Sequence, residues 1–256
     1  FFTGSSVLRG RLSFLLALAF TLLGALSFEQ RARAQSAPAA APTVAQSVIL
    51  VLGDSLSAEY GLPRGAGWVQ LLSDRLRSSG ADYTVVNASI SGETTSGGLT
   101  RLPGLLEQHR PAIVVIELGA NDGLRGLPLS VMRDNLLKMI GASRRAGSAV
   151  MLVGIRVPSN YGRDYSERFF QTFESVARET RVAYAPFLLD GFAESLDSFQ
   201  PDRIHPNTSA QPRMLDNVWP HLQPLLKTKR STATRCRLYA ACSAEVNGVF
   251  QICSGW

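Results

Sequence analysis

The chain has 256 residues, 45% hydrophobic and 18% charged. That composition excludes a disordered or collagen-like protein and leaves room for one good-sized core rather than two domains. The formal charge of +6 sits at the ends: residues 1–46 carry +3 and residues 227–256 carry +4, leaving −1 on residues 47–226. A nucleic-acid binder needs positive charge on its folded face, so no nucleic-acid partner is expected.

In chain order, Arg9 and Arg11 precede an uncharged apolar run from Leu12 to Phe28, and Ala32-Arg33-Ala34 offers a small-x-small cleavage site. Residues 1–34 are therefore expected to be a signal peptide, with export to the periplasm or the medium after cleavage. A membrane anchor is the alternative, although the run is at the short end for a spanning helix. Residues 35–46 read as a flexible Ala/Pro-rich leader. Five short apolar, β-rich runs follow: Val48–Leu52, Tyr83–Asn87, Ala112–Leu118, Ala149–Ile155 and Val182–Ala185. Most show little alternation, as strands covered on both faces do.

Helical patterns lie between the runs. Residues 67–80 place Trp68, Leu71, Leu72 and Leu76 on one face and stop at Gly80; residues 129–147 do the same with Val131, Leu136, Met139 and Ile140. Residues 165–180 add Phe169, Phe170, Phe173 and Val176, and a last helix from Ala210 to Leu226 carries Met214, Leu215, Val218 and Leu222. This alternation predicts an α/β three-layer sandwich over residues 47–226, a parallel five-stranded sheet flanked by helices and joined by right-handed crossovers. Cys236, Cys242 and Cys253 all lie in the basic tail of residues 227–256, which is expected to be disordered or non-native and is assigned no function. Residues 47–226 thus hold no thiol nucleophile and no thiolate metal ligand.

The first strand runs straight into Gly53-Asp54-Ser55. In open α/β sheets ligands bind outside the carboxyl ends of the strands, where Ser55 would stand, but Gly-Asp-Ser is equally a sound turn. A serine hydroxyl needs a base, and the base an orienting acid. His109, late in a helix, and His221, flanked by prolines in the last helix, read as structural residues. His205 lies in the polar loop "QPDRIHPNTSAQP", with Asp202 three residues earlier, a spacing from which a carboxylate reaches the imidazole. An acyl-transfer site also needs oxyanion donors, and Gly92 after the second strand and Asn121 after the third supply candidates. Each of these loops alone is a competent turn; the topology brings all four to one edge of the sheet.

The ordered blocks "GDSLS", "NASISGETT", "LGANDG" and "DRIHPN" resemble those of the SGNH (GDSL-type) hydrolases. From about Val48 to Leu226 the chain is similar to their bacterial periplasmic thioesterase/lysophospholipase (arylesterase) branch. The resemblance implies a flavodoxin-like SGNH fold with Ser55 as nucleophile, His205 as base and Asp202 as orienting acid. The oxyanion hole would be made by the Ser55 N–H, the Gly92 N–H and the Asn121 side chain. It implies hydrolysis of acyl esters and thioesters (lysophospholipid, acyl-CoA or aryl ester) through an acyl-enzyme, with no cofactor and no metal. A monomer is expected, meeting the membrane only through the signal segment or lipid substrates. Asp54, Leu56, Asn160, Tyr161 and Ile204 are expected to touch substrate, Tyr161 from a loop lining an acyl groove.

Glu59, Ala120 and Arg203 depart from the family pattern, and Glu59 and Arg203 are positions where substrate fit is expected to differ. The competing readings are a carbohydrate O-acetylesterase on the same blocks, with a more polar groove, and a non-catalytic binding module that kept the fold. A zinc hydrolase finds no paired ligand spacing among the scattered histidines, and no phosphate-binding glycine motif follows a strand.

Overall fold

A computed structural model describes residues 46–226. The signal peptide, the leader up to residue 45 and the cysteine-bearing tail expected from the sequence lie outside the described residues.

The strands are β1 (Ser47–Gly53), β2 (Tyr83–Asn87), β3 (Ile113–Glu117), β4 (Ala149–Val153) and β5 (Ala183–Ala185). All pairs are parallel, in the order β2-β1-β3-β4-β5. Ile49–Leu52 and Ile113–Ile116 are almost wholly shielded from solvent, because helices cover both faces of the sheet. That double cover is why these strands read as continuous apolar runs. The flanking helices are α1 (Trp68–Ser78), α2 (Thr95–His109), α3 (Ala120–Leu124), α4 (Leu129–Arg145), α5 (Arg163–Thr180) and α6 (Gln211–Leu222). In this strand order the chain leaves β1 for one side of the sheet and returns to β3 on the other. The switch point therefore falls between β1 and β3, at whose carboxyl ends open α/β sheets bind ligands.

The structure differs from the sequence reading at several places. Periodicity points to a helix only near His109, whereas α2 starts at Thr95 and contains Gly97, Gly98, Pro103 and Gly104, which disguise its pattern. Gly98 is required by packing: a Cβ there would stand 2.3 Å from Leu118 Cδ1. The core face of α4 uses Met132 instead of Val131, which is 49% exposed one residue off the stripe of Met132, Leu136, Met139 and Ile140. Val69 is buried on α1 while Leu71 is half-buried, and Phe170 is half-buried beneath the Arg156 guanidinium at 3.8 Å. The ladder of β4 ends at Val153 because its partner β5 has only three residues.

Glu59 also has a job the sequence did not suggest. Its backbone sits at φ 60°, and its two carboxylate oxygens accept the Gly65 N–H at 3.0 Å and the Gly67 N–H at 2.8 Å. Gly67 is the N-cap of α1 and has no side chain of its own to cap with. Glu59 takes up the N–H of this N-cap residue and sets ahead of α1 the negative charge that a helix N-terminus favours. Its carboxylate is engaged at the start of α1, which runs against the expectation that it shapes substrate fit. Glu59→Ala is expected to lower stability by about 1 kcal/mol in urea denaturation, the usual net worth of a hydrogen bond.

Candidate active site

β1 ends on Gly53, which lies level with Glu117 of β3. Gly53 is not among the described glycines with positive φ, so backbone freedom is not what requires glycine here. Space is the reason: a Cβ would stand 2.8 Å from both Glu117 Oε2 and Ser57 Oγ. Past Gly53 the chain makes a tight turn, with the Asp54 carbonyl accepting the Ser57 and Ala58 N–H groups at 3.2 and 2.9 Å. The Asp54 carboxylate accepts the Leu56 N–H at 3.0 Å, and Asn87, the last residue of β2, donates its side-chain amide to the Ser57 carbonyl at 2.7 Å. Ser55 is presented from the middle of this braced turn.

The partner loop is built with equal economy. Phe199 and Pro206 form an antiparallel bridge, the Gln200 N–H donates to the His205 carbonyl at 2.8 Å, and Arg203 at φ 59° completes the turn between them. Asp202 Oδ1 accepts the N–H groups of Ile204 and His205, both at 3.0 Å, while Oδ2 lies 2.6 Å from His205 Nδ1. His205 Nε2 is 2.9 Å from Ser55 Oγ. Burial pushes the Asp202 pKa up, but the hydrogen bonds from His205 and Ile204 outweigh it, and the pKa falls to about 2. Asp202 is therefore ionised throughout the range in which histidine titrates.

Two residues that sequence reasoning missed lock this loop to the Ser55 turn. Gln200 donates its side-chain amide to the Tyr60 carbonyl at 2.8 Å and to the Pro206 carbonyl at 3.1 Å. The Tyr60 ring packs on the imidazole of His205, centroids 4.3 Å apart and planes 37° apart. At the base of the loop, Gln211 of α6 accepts the Trp68 N–H at 3.0 Å and donates to the Asn207 carbonyl at 3.3 Å, joining α6, the loop and the start of α1.

Asn121 reaches the same place from the other side of the switch point. Its side-chain amide donates to Asp54 Oδ2 at 3.2 Å and to the Glu93 carbonyl at 3.0 Å. Gly92, at φ 79°, occupies a conformation that suits glycine, and its carbonyl accepts from Arg125 at 2.9 Å. Among the described residues, the N–H groups of Ser55 and Gly92 meet no acceptor. The neighbouring Asp122 is buried and accepts the Thr95 N–H at 2.8 Å and the Thr95 hydroxyl at 2.5 Å. The Asn-Asp pair thus divides its work: Asn121 faces the Ser55 turn and Asp122 anchors the start of α2.

Of the residues expected to touch substrate, Asp54 is corrected. It is fully buried, with its carboxylate oxygens on the Leu56 N–H and the Asn121 amide, so it has no surface to offer a ligand. Burial raises its pKa to about 6, against the lowering effects of Leu56, His205 and Asn121. Leu56 is half-buried, Asn160 and Ile204 are exposed, and Tyr161 is exposed with its hydroxyl on the Leu124 carbonyl of α3 at 3.2 Å. A cleft of about 990 Å³ is lined by Arg156, Phe170, Phe187, Phe192 and His221, among others, and contains none of the expected site residues. Among the described residues no cluster of three or more His, Cys, Asp or Glu side chains could hold a metal ion. With the imidazole proton on Nδ1 facing Asp202, Nε2 offers its lone pair to the Ser55 hydroxyl. Such a chain of groups can move a proton off a serine and stabilise the resulting imidazolium.

Residues 51–211 match the GDSL-like lipase/acylhydrolase family. The chain is 50% identical over 182 residues to esterase TesA of Pseudomonas aeruginosa, covering 71% of this chain and 90% of that one. It is 42% identical over 182 residues to the thioesterase 1/protease 1/lysophospholipase L1 of Escherichia coli, covering 71% of this chain and 86% of that one. Among solved structures, the psychrotrophic esterase EstA from Pseudoalteromonas sp., inhibited by monoethylphosphonate, is 43% identical with a TM-score of 0.67, covering 70% of this chain and 97% of that one. The order of strands, the four loops gathered at the switch point and these likenesses agree: the chain belongs to the GDSL-like lipase/acylhydrolase family.

Proposed function

We propose that the protein is a serine hydrolase of acyl esters and thioesters, acting through a Ser55–His205–Asp202 triad and an acyl-enzyme on Ser55. One observation carries this reading: Ser55 Oγ lies 2.9 Å from His205 Nε2 while His205 Nδ1 lies 2.6 Å from the ionised Asp202. In the reaction, Ser55 Oγ bonds to the acyl carbon as its proton passes to Nε2. The carbonyl oxygen becomes an oxyanion beside the N–H groups of Ser55 and Gly92, and the Asn121 amide, held on Asp54 by one hydrogen, turns the other from the Glu93 carbonyl to it. Collapse breaks the bond to the alcohol or thiol, which leaves with the proton from His205. Water, deprotonated by the same histidine, then releases the acid and restores Ser55.

The loops bearing these residues favour an acyl chain over a sugar. Tyr60, Ile90, Tyr161 and Ile204 are among the exposed large hydrophobic side chains. They come from the Ser55, Gly92 and His205 loops and from the loop after β4. This apolar character counts against the carbohydrate O-acetylesterase, and the complete relay geometry counts against a binding module. The relatives named esterase, arylesterase and thioesterase/lysophospholipase support lysophospholipid, acyl-CoA and aryl esters as the substrate classes. We further propose a monomer, exported by a signal peptide over residues 1–34, that meets membranes only through that segment or through lipid substrates.

Hydrolysis of p-nitrophenyl esters from acetyl to palmitoyl is expected to extend to medium or long chains and to vanish in Ser55→Ala. Turnover of acetyl alone would favour the sugar esterase, and turnover that survives Ser55→Ala would overturn the reading. Asn121→Ala is expected to lose about 10²–10³ in kcat, the usual worth of an oxyanion donor, with a melting temperature that shows it folded. Near-normal turnover in that variant would remove Asn121 from the site.

A further inference from the structure

Glu117 ends β3 only 2% exposed, yet neither the proton relay nor the oxyanion donors include it. Its Oε2 accepts the Ser57 hydroxyl at 2.6 Å and lies 3.5 Å from the Asp54 N–H. Both donors belong to the turn that presents Ser55. Asp54 in turn holds the Asn121 amide, so one buried carboxyl touches the support of the attacking oxygen and, through one residue, the support of an oxyanion donor. The arrangement has a visible requirement, because only glycine at position 53 leaves room for the Glu117 carboxyl and the Ser57 hydroxyl side by side. A carboxyl at the end of the buried run Ile113–Ile116 costs more to desolvate than another aliphatic side chain would. Its presence calls for something that only a hydrogen-bonding group supplies.

We propose that Glu117 is a positioning residue for the hydrolytic reaction: it fixes the Ser55 turn through Ser57 and the Asn121 amide through Asp54, so that the hydroxyl meets the acyl carbon while the amide meets the oxygen of the same carbonyl. This rests on Ser55 being the nucleophile. Burial, with the nearby Asp54 charge, pushes the Glu117 carboxyl well above the usual range and favours its neutral form. Asp54 is the titratable group that faces it, and His205 and Asp122 in turn act on Asp54. A neutral amide of the same shape should therefore serve nearly as well, since it still accepts from Ser57. Alanine leaves the Ser57 hydroxyl without its acceptor and a void under the turn.

The test is steady-state kinetics on p-nitrophenyl butyrate with Glu117→Ala, Glu117→Gln and Ser57→Ala, each checked by thermal melting. Glu117→Ala is expected to lose about 10²-fold in kcat, the scale of a misplacement near 1 Å, with KM within about twofold. Ser57→Ala is expected to lose about tenfold by the same route, and Glu117→Gln to keep kcat within about threefold of the unmodified chain. Unchanged kcat in Glu117→Ala, or Glu117→Gln as impaired as Glu117→Ala, overturns the proposal. If Glu117→Ala does not fold, Ser57→Ala decides, and unchanged kcat there overturns it equally. Turnover by the unmodified chain that survives Ser55→Ala overturns the hydrolase reading and this inference with it; loss in Ser55→Ala with no loss in the Glu117 and Ser57 variants overturns this inference alone.

Discussion

The side-by-side pairing of β1 and β3 is the constraint from which the site follows. Their register sets Gly53 against Glu117, and this strand order makes their carboxyl ends the switch point, where open α/β sheets bind ligands. Ser55 comes to that point from one strand and Asn121 from the other. The Asp54–Asn121 hydrogen bond is the crosspiece between them. The Gly92 loop is laid alongside by backbone bonds from Ala88 to Val51 and from Ile90 to Gly53, so it continues the sheet's own spacing past the end of β2. Only the His205 loop is brought in from a distance in sequence, and it is correspondingly the one held by the most side-chain bonds, through Gln200, Asn207 and Gln211.

Two aspartates near the same histidine sit in opposite environments. Asp202 sits where backbone and ring N–H groups converge on it, and its pKa drops to about 2. Asp54 is fully buried, with its pKa raised to about 6, and its oxygens brace the Leu56 backbone and the Asn121 amide instead of the imidazole. Neighbouring acids whose surroundings push their pKa values apart take different roles, and here the difference comes from solvent access and donor count. Glu117 is the extreme of the same trend, enclosed at the end of β3 with its carboxyl pushed well above the usual range by burial and the Asp54 charge.

The sheet was legible in the sequence because parallel strands covered on both faces leave unbroken apolar runs, and Ser55, Gly92 and Asn121 each stood within a few residues of the end of such a run. The histidine loop, an acid three residues before a proline-bracketed histidine, was ambiguous by itself and became legible only beside the three other loops that the topology brings to the same sheet edge. Helix α2 was hidden by the glycines that let it approach Leu118 closely, a packing requirement invisible to periodicity. Glu117 and Asp122 were missed because one acid at the edge of an apolar run reads as its polar end, and only the fold shows that both are buried. Tyr60 gave no signal, since its contact with His205 depends on two loops 145 residues apart in the chain. Asp54 was misjudged for the opposite reason: proximity to Ser55 in sequence suggested contact with substrate, while the turn directs its side chain inward.

The central claim is that Ser55, activated by His205, attacks acyl carbon. The most direct measurement is covalent trapping with a p-nitrophenyl alkylphosphonate, followed by intact-mass and peptide analysis of the full chain and of His205→Ala. The account predicts one phosphonyl group per chain, located on Ser55, with labelling slowed severely when His205 is removed. Labelling at another residue, or labelling of Ser55 at an unchanged rate without His205, would contradict it.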